Sequence, residues 1–512
     1  MVTEIPPTRP AHPPGTPLRD VAEWAGARDV ADDADDVTVT GITLDSRRVQ
    51  PGDLYAALPG SRAHGARFTA DAAEAGAVAV LTDLEGRRLA ESVGLPLLVV
   101  ESPRTVLGVV AAAIYGDPAE ALRTIGVTGT QGKTTVTRLL DGALLASGVR
   151  SAVVGTVGTR IAGEEVKTSL TTPEAPDLHG LFARMRELDV TACAMEVSSH
   201  ALVLGRVDGV VFDVAVFTNL GRDHLDFHAD LEEYYQAKAM LFAPEHARLG
   251  VVCTDDEHGR RLSQEAPIPI RTFSVVPGAD ADWGVSDVEL GPGGSRFTVH
   301  GPEGVTVAGG VPLPGEFNVA NALAAIASAT EAGFDPQAVA DGIARSAGVP
   351  GRLERIDAGQ EFTVVVDYAH KPDAVDAVLR TLRPVTARRL VVVIGAGGDR
   401  DRGKRPVMGE IAAGLADVLI VTDDNPRTED PAAIRAELLA GARAAGGPVE
   451  VIEIADRRAA ITDALTRARA GDVVLVAGKG HETGQEVAGV VHPFDDRQVV
   501  HDVLRRLRGG SA

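Results

Sequence analysis

The stretch TIGVTGTQGKTTV, from Thr124 to Val136, decides how this chain is read. A short apolar run that reads as a strand enters a glycine-rich turn, and Lys-Thr-Thr then opens the helical stretch TTVTRLLDGALLASG. The common phosphate-loop spacing, G-x-x-x-x-G-K-[ST], requires glycine five positions before Gly132, where Val127 stands instead. The glycines fall at Gly126, Gly129 and Gly132, so the loop is compressed. Such a turn still points consecutive backbone N–H groups into one concavity at a helix N-terminus. A glycine-rich turn alone is often only a turn; the Lys-Thr-Thr that follows makes nucleotide binding the stronger reading. ATP is therefore expected against Gly129, Thr130, Gln131, Gly132, Lys133, Thr134 and Thr135. Lys133 would reach the β- and γ-phosphates, and the Thr134 hydroxyl would ligate Mg2+.

Working outward, Val/Ile/Leu runs recur, each followed by a turn and an Ala/Leu/Arg-rich helical stretch, which predicts strand–helix repetition. They fall into three groups. The first contains DLYAAL, AVAVLT and LPLLVVES; the second TIGVTGT, TACAMEVSS, VAVFTNL and LGVVCTDD; the third FTVVVDYAH, LVVVIGAGGD, VLIVTDDNP and DVVLVAGKGHE. Pro/Gly and charged residues interrupt the pattern near 123 and 349. The expected organisation is a disordered, proline-rich tail over 1–17 and α/β domains over 18–123, 124–349 and 350–512. The stretch 284–311 alternates between turns and short apolar runs and reads as antiparallel hairpins inside the second domain.

Composition agrees. A chain of 512 residues exceeds one hydrophobic core, and with 45% hydrophobic but only 4% aromatic residues its cores are built of Ala, Val and Leu, as in parallel sheets covered by helices. The formal net charge of −22 argues against nucleic-acid and anionic-membrane partners. Cys193 and Cys253 each sit in an apolar run and read as small core residues in a reducing compartment. No run reaches the length of a membrane span, and the N-terminus has no signal-peptide core. A soluble, cytoplasmic protein without membrane insertion is expected, acting as a monomer.

Downstream strand ends supply further polar groups. MEVSSHAL offers Glu196, Ser198 and His200; TNLGRDHLDFH offers Asn219, Asp223, His224, Asp226 and His228. In an open parallel sheet these ends share one crevice, where a hard cation bridging phosphates would take Glu196. His224, with Asp neighbours, is balanced between ligation and a structural hydrogen bond, and His228 reads as structural. Lys238 in YYQAKAMLF lies on a mostly apolar helical segment and, on spacing alone, reads as a snorkelling lysine.

GVTGTQGKTT, EVSSHAL, FTNLGRDHLDFH, YYQAKAMLF, GEFNVANALAA, GRLE, VDYAHKPDAV, GAGGDRDRGKRPVMG, DDNPRTEDP and AGKGHET occur in the order found in the Mur ligases of peptidoglycan synthesis, which this chain resembles from about residue 40 to 500. Compressed GTxGKTT loops are usual in that family. The resemblance implies an N-terminal UDP-binding α/β domain, a central P-loop ATPase domain with a mostly parallel sheet, and a C-terminal Rossmann-like domain that admits an amino acid. It implies an amide-forming ligase in which ATP activates the D-glutamate of UDP-N-acetylmuramoyl-L-alanyl-D-glutamate as an acyl phosphate. It also implies that Lys238 is carbamylated and, with Glu196 and His224, helps hold Mg2+, against the reading from spacing. By the same resemblance Asn318 would contact adenine, Arg352 the γ-phosphate, and Asp367 and His370 the nucleotide. Leu44, Ser46, Ser61, Arg62 and Ala63 would bind UDP. Thr171, Thr172, Ser198, Arg206 and Lys238 would face the muramoyl dipeptide. Leu204 departs from the family, which often has Gln there.

The amino acid is read from DNPR. Pro426 fixes its own φ and biases Asn425 toward extended geometry, so a stiff turn presents Arg427. The blander reading is an exposed turn with a solvated Arg. Two other strand-end segments reach the same edge, however: GGDRD with Arg400, and AGKGHE with Gly478 and Glu482. With Asp424, Asn425 and Pro426 they offer guanidinium groups for carboxylates and an acid for an ammonium, as meso-2,6-diaminopimelate requires. In the family, DNPR marks the diaminopimelate-adding enzymes; lysine, lacking the distal carboxylate, would leave Arg427 desolvated and unpaired. The rivals are a lysine-adding member of the family, a folylpolyglutamate synthase, whose loop usually reads GKG[ST] and which lacks the UDP-binding domain, and a P-loop ATPase switch that binds a protein partner.

Overall fold

The computed structural model describes residues 8–27, 34–224, 227–291, 293–346 and 348–509. By internal packing the chain divides into two units, one of Met1–Ser286, Thr298–Ala308 and Ala320–Ile343, the other of Asp287–Phe297, Gly309–Val319 and Ala344–Ala512. The first unit holds a four-stranded and an eight-stranded sheet, and the second a six-stranded sheet.

In the first unit, helix α1 (Leu18–Ala25) precedes strands β1 (Gly41–Thr43), β2 (Asp53–Ala56), β3 (Ala79–Thr82) and β4 (Leu97–Val99), which pair in sequence order and all in parallel. Both faces of this sheet are buried, so alternate residues of one strand enter different cores. Leu54 and Leu81 join α1 and helix α2 (Pro103–Ile114) through Val21, Val110 and Ile114, while Tyr55 and Val80 pack with Ala66, Ala72 and Ala90 on the other side.

The larger sheet follows with β5 (Arg123–Thr128), helix α3 (Lys133–Ala146), β6 (Ser151–Val154), β7 (Thr159–Ile161), β8 (Glu164–Val166), helix α4 (Ala175–Glu187), β9 (Ala192–Glu196), β10 (Phe212–Phe217), helix α5 (Leu231–Ala239), β11 (Ala247–Cys253) and β12 (Ile270–Phe273). The spatial order is β8-β7-β6-β9-β5-β10-β11-β12; β6 and β9 to β12 run parallel with β5, and β7 and β8 form an antiparallel edge. The chain leaves β5 through α3 and crosses over the position of β9 to reach β6, so the C-terminal ends of β9, β5 and β10 frame a topological switch point. Cys193 and Cys253 are buried free thiols, and burial pushes both pKa values up, that of Cys253 to about 12. The stretch expected to form hairpins contains strands β13 (Gly284–Gly291), β14 (Gly294–His300) and β15 (Thr306–Val311), followed by helix α6 (Glu316–Glu331).

In the second unit, β16 (Glu354–Arg355), β17 (Thr363–Asp367), β18 (Leu390–Ile394), β19 (Val418–Val421), β20 (Glu450–Glu453) and β21 (Val473–Ala477) form a sheet in the order β16-β17-β21-β18-β19-β20, parallel except for β16. Helix α7 (Lys404–Leu415) lies between β18 and β19 in sequence. A separate hairpin, β22 (Gly484–Val487) with β23 (Val490–Pro493), follows β21. Insertion of β21 between β17 and β18 brings the loops after all three, and after β19, to one edge.

The tail expected to be disordered over 1–17 needs correction. Residues 1–7 lie outside the described residues, but in the stretch from Thr8 to Pro17 the residues Thr8, Arg9, Pro10 and Thr16 are buried. The buried Arg9 guanidinium donates to both oxygens of buried Asp53, at 2.7 and 2.8 Å, and to the Ile42 carbonyl. Backbone N–H groups of Ala11 and His12 donate to Glu187 at the end of α4. The prolines that suggested disorder preclude a helix, and paired charges hold this extended segment instead. Substituting Arg9 by Met should leave Asp53 buried without its cation and cost about 3 kcal/mol; an unchanged urea unfolding curve would contradict this.

Candidate active site

Each loop glycine answers a different demand. Gly129 and Gly132 have φ of +145° and +89°, where side chains are strained; a Cβ would lie 1.9 Å from Thr218 Oγ1 in the first case and 2.5 Å from Asn321 Oδ1 in the second. Gly126 stands within β5, and a Cβ there would press on the Phe212 ring at 3.0 Å. The loop is held from β10: Gln131 N donates to Asn219 Oδ1, Asn219 Nδ2 and Thr218 Oγ1 donate to the Gln131 carbonyl, and Thr130 N donates to the Asn219 carbonyl. Asn219, considered as a ligand, is thus a staple of the loop. The N-cap of α3 is Gly132, which has no side chain to cap the first N–H groups. By contrast, Asp230 caps α5 through Glu233 N.

Lys133 Nζ donates to the carbonyls of Gly129, at 2.6 Å, and Thr130. Lys238 Nζ, from α5, donates to the same Gly129 carbonyl at 2.8 Å and lies 4.5 Å from the centre of the Tyr234 ring. The snorkelling reading of Lys238 is wrong, because the side chain points inward and the residue is 1% exposed. Burial, reinforced by the charge of Lys133, pushes its pKa well below the ordinary lysine value.

At the end of β9, Glu196 is also 1% exposed. Its carboxylate accepts from Thr156 N at 2.8 Å and from Thr156 Oγ1 at 3.0 Å, which leaves lone pairs for a cation. Thr156 Oγ1 is 3.1 Å from Thr171 Oγ1; Thr172 Oγ1 donates to the Glu196 carbonyl and accepts from Ser198 N. Arg206 Nε donates to Glu174 at 2.8 Å, and Arg104 of α2 donates both to Glu174 and to the Leu204 carbonyl. The expected dipeptide residues Thr171, Thr172, Ser198 and Arg206 therefore form one connected cluster. Leu44 and Ser46 follow β1 while Ser61, Arg62 and Ala63 follow β2, so the expected UDP segments leave one edge of a parallel pair.

His224 adopts a left-handed φ of +54° beside Asp223, with its ring edge-on to His200. His200 stacks on Phe227, and His228 is buried with Nε2 3.0 Å from Ser199 Oγ, a structural role as expected. Asp226 lies outside the described residues. Among the described residues, no three His, Cys, Asp or Glu side chains form a metal centre. Glu196 and His224 are thus not part of a self-contained cage of that kind.

In the second unit, Arg352 rests on the Tyr368 ring with its guanidinium carbon 4.7 Å from the ring centre. Gly351 makes this possible, since a Cβ there would lie 2.1 Å from His481 N. Leu353, at φ +43°, is pinned by its N–H to Asp367, whose other oxygen accepts from Ala369 N. Burial raises the Asp367 carboxyl above its ordinary pKa, against the opposing charge of Arg352. His370 Nδ1 is 2.7 Å from the Tyr368 carbonyl, so that nitrogen carries the proton and Nε2 keeps its lone pair. Burial lowers the His370 pKa to about 4. Asn318, in α6, is buried and donates to the Pro314 carbonyl.

The segments read as an amino-acid pocket do interlock. Gly398 N donates to the Asn425 carbonyl, and a Cβ on Gly398 would meet the Pro426 carbonyl at 1.9 Å. Asn425 Nδ2 donates to Glu482 at 2.9 Å. At the centre is Lys479, fully buried, whose ammonium reaches Asp424, Asn425 and Glu482. Burial would push the Asp424 carboxyl up, but the charges of Lys479 and Arg457 outweigh it and hold it below its ordinary value. Gly478, at φ +118°, lies against Asp424; Arg400 is exposed. Arg427, expected to be unpaired without a substrate carboxylate, already faces Glu486 and donates to the Gly398 carbonyl. The reason is its left-handed backbone, φ +54°, which joins Arg427 to the strand pairing of Val487.

Sequence reasoning missed Lys479, Thr156, Tyr234, Glu174 and Glu486. Lys479 stands inside the quoted AGKGHE and Tyr234 inside YYQAKAMLF, one turn before Lys238, so both lay within stretches already singled out; Thr156, Glu174 and Glu486 act through contacts distant in sequence.

Three families match in chain order: Mur ligase family, catalytic domain, over residues 38–115; Mur ligase middle domain over 127–329; and Mur ligase, glutamate ligase domain over 351–480. A relative from Streptomyces avermitilis, named UDP-N-acetylmuramoyl-L-alanyl-D-glutamate--2,6-diaminopimelate ligase, is 57% identical across 98% of this chain and 99% of its own. One of the same name from Corynebacterium glutamicum is 50% identical across 91% and 92%. A solved structure of an enzyme of that name superposes with a TM-score of 0.70 at 35% identity, covering 97% of this chain and all of the other.

The His370 ring should titrate near pH 4 in the folded protein. Between the ordinary imidazole value of about 6.5 and that midpoint, the unfolded chain binds a proton that the folded ring refuses, so this residue lowers stability progressively as pH falls. An imidazole NMR titration with a midpoint near 6.5 would contradict the buried, Nδ1-protonated ring.

Proposed function

This chain belongs to the Mur ligase family, and from that premise we propose that it joins meso-2,6-diaminopimelate to the D-glutamate of UDP-N-acetylmuramoyl-L-alanyl-D-glutamate. ATP is consumed to ADP and phosphate, and the reaction belongs to cytoplasmic peptidoglycan precursor synthesis. The observation that carries the choice of amino acid is the interlocked Asp424–Arg427 segment, with Arg427 and Glu482 presented from one sheet edge beside buried Lys479. The end-to-end likeness to relatives bearing that activity in their names supports it. Among the described residues, no helix is long and apolar enough to cross a membrane.

In this reading the D-glutamate γ-carboxylate attacks the γ-phosphorus of ATP and ADP departs, leaving an acyl phosphate. The amine of diaminopimelate then attacks the acyl carbon, and phosphate leaves as the amide forms. The chain's task is to position the reactants and to neutralise charge on the transferring oxygens. Lys133 must release its loop carbonyls to reach phosphate. Arg206, Thr172 and Ser198 orient the dipeptide.

Mg2+ would be held by Thr134, Glu196, His224 and a carbamate on Lys238, together with phosphate oxygens, and would supply charge neutralisation. Glu196, buried with lone pairs to spare, fits that role. The buried Lys238, its pKa depressed, presents the neutral amine that can add CO2 with loss of a proton. The carbamate so formed would be an anion beside Lys133 in place of a neutral amine.

Phosphate release by the wild type should require both the UDP-linked dipeptide and meso-diaminopimelate. Comparable kcat/KM for L-lysine would promote the lysine-adding alternative, and ATP hydrolysis indifferent to either acceptor would favour an ATPase switch. Arg427→Ala should lower kcat/KM for diaminopimelate by at least about tenfold. Lys238→Ala should be nearly inactive and partly rescued by a short-chain carboxylate; an active wild type whose mass shows an unmodified amine would exclude the carbamate.

A further inference from the structure

The guanidinium of Arg427 is already engaged by the chain's own carboxylate. Arg427 Nε lies 3.3 Å from Glu486 Oε2, and its NH1 donates to the Gly398 carbonyl. Glu486 is delivered there by its backbone. Arg427 N donates to the Glu486 carbonyl at 3.0 Å, Ala488 N donates to the Arg427 carbonyl at 2.7 Å, and Glu486 N donates to Asn425 Oδ1 at 3.0 Å. Strand β22 is thus laced along Asn425, Pro426 and Arg427, and its third residue can hardly move without unlacing them. The Glu486 side chain is free of that lacing and 36% exposed, so it can swing toward solvent.

We infer that Glu486 is a specificity-determining residue, an internal competitor that occupies Arg427 in the empty site and must yield when the distal carboxylate of the amino acid arrives; this rests on the diaminopimelate reading above. Two anions converging on one guanidinium repel each other, and the substrate must displace a carboxylate rather than solvent. The effect on selectivity follows. When an amino acid without the distal carboxylate binds, Arg427 keeps Glu486 and is not stranded. The wild type therefore discriminates less sharply than a bare guanidinium would, and it holds the correct substrate less tightly.

Glu486→Gln retains the size and the backbone hydrogen bonds and removes the charge. Its KM for meso-diaminopimelate should fall about two- to fivefold, the range of a partly exposed ion pair, and the ratio of kcat/KM for diaminopimelate over L-lysine should rise. Glu486→Ala, with the same backbone links, should shift both quantities in the same direction. An unchanged melting temperature and an unchanged KM for ATP establish that the variants are folded. A KM that rises would mean that Glu486 aligns Arg427 or receives the substrate ammonium, and an unchanged KM would mean that the pair has no bearing on binding; either overturns the inference while the wild type still turns over diaminopimelate. A wild type that does not use diaminopimelate at all overturns the functional reading itself.

Discussion

A primary amine buried beneath a phosphate loop must find an acceptor, and Lys238 finds the Gly129 carbonyl. That requirement organises the first unit. The carbonyl is turned toward α5 because Gly129 takes a backbone conformation closed to other residues, and Lys133 folds back onto the same oxygen. Tyr234, one turn before Lys238, lies under its amine and meets the Thr130 hydroxyl at 3.3 Å. Helix and loop are therefore one structure, and two amines share one oxygen at the point where an anionic ligand would enter. Burial and the neighbouring charge of Lys133 both disfavour a second cation there and favour loss of the proton from the deeper amine.

The second unit solves its positioning problem with backbone contact and charge. Gly351 against His481 and Gly398 against Pro426 bring separate loops to van der Waals distance, which any Cβ would prevent. Beneath them the buried Arg405 guanidinium holds Glu429, Glu437 and the Gly397 carbonyl, and buried Arg457 holds Asp496 and the Ala477 carbonyl. Removing one partner from such a group would leave an uncompensated interior charge, so these pairs enforce one loop arrangement.

Much of this was legible in the chain itself. Apolar runs ending in glycine and acid predicted parallel strands with their C-terminal ends assembled, and the loops after β5, β9 and β10 do meet. The strand–turn–helix around Lys133 and the strand-end position of Glu196 were readable because each is local. Lys238 was not: its apolar neighbours are the same for a lysine that snorkels and for one that turns inward, and the acceptor that decides between them lies 109 residues away. The N-terminal prolines misled for a similar reason, since Asp53 and Glu187 are what order the segment. Two sheets packing into a single unit left no mark in strand patterning, because pairs such as Gly108 against the Asp208 carbonyl depend on close approach, not on periodicity.

That packing makes the first unit a gauge. Arg9 ties the segment preceding α1 to β2, Ala11 and His12 carry it to α4, Arg48 bonds Asp177 through two nitrogens, and Arg104 joins α2 to the cluster around Glu174 and Arg206. These ties span the two sheets on several sides, so the separation between the edge bearing Leu44 and Ser61 and the cluster bearing Thr172 is set before any ligand arrives. A molecule that must touch both ends is measured against a fixed ruler, and one shortened or lengthened by a single residue can satisfy one end at the expense of the other.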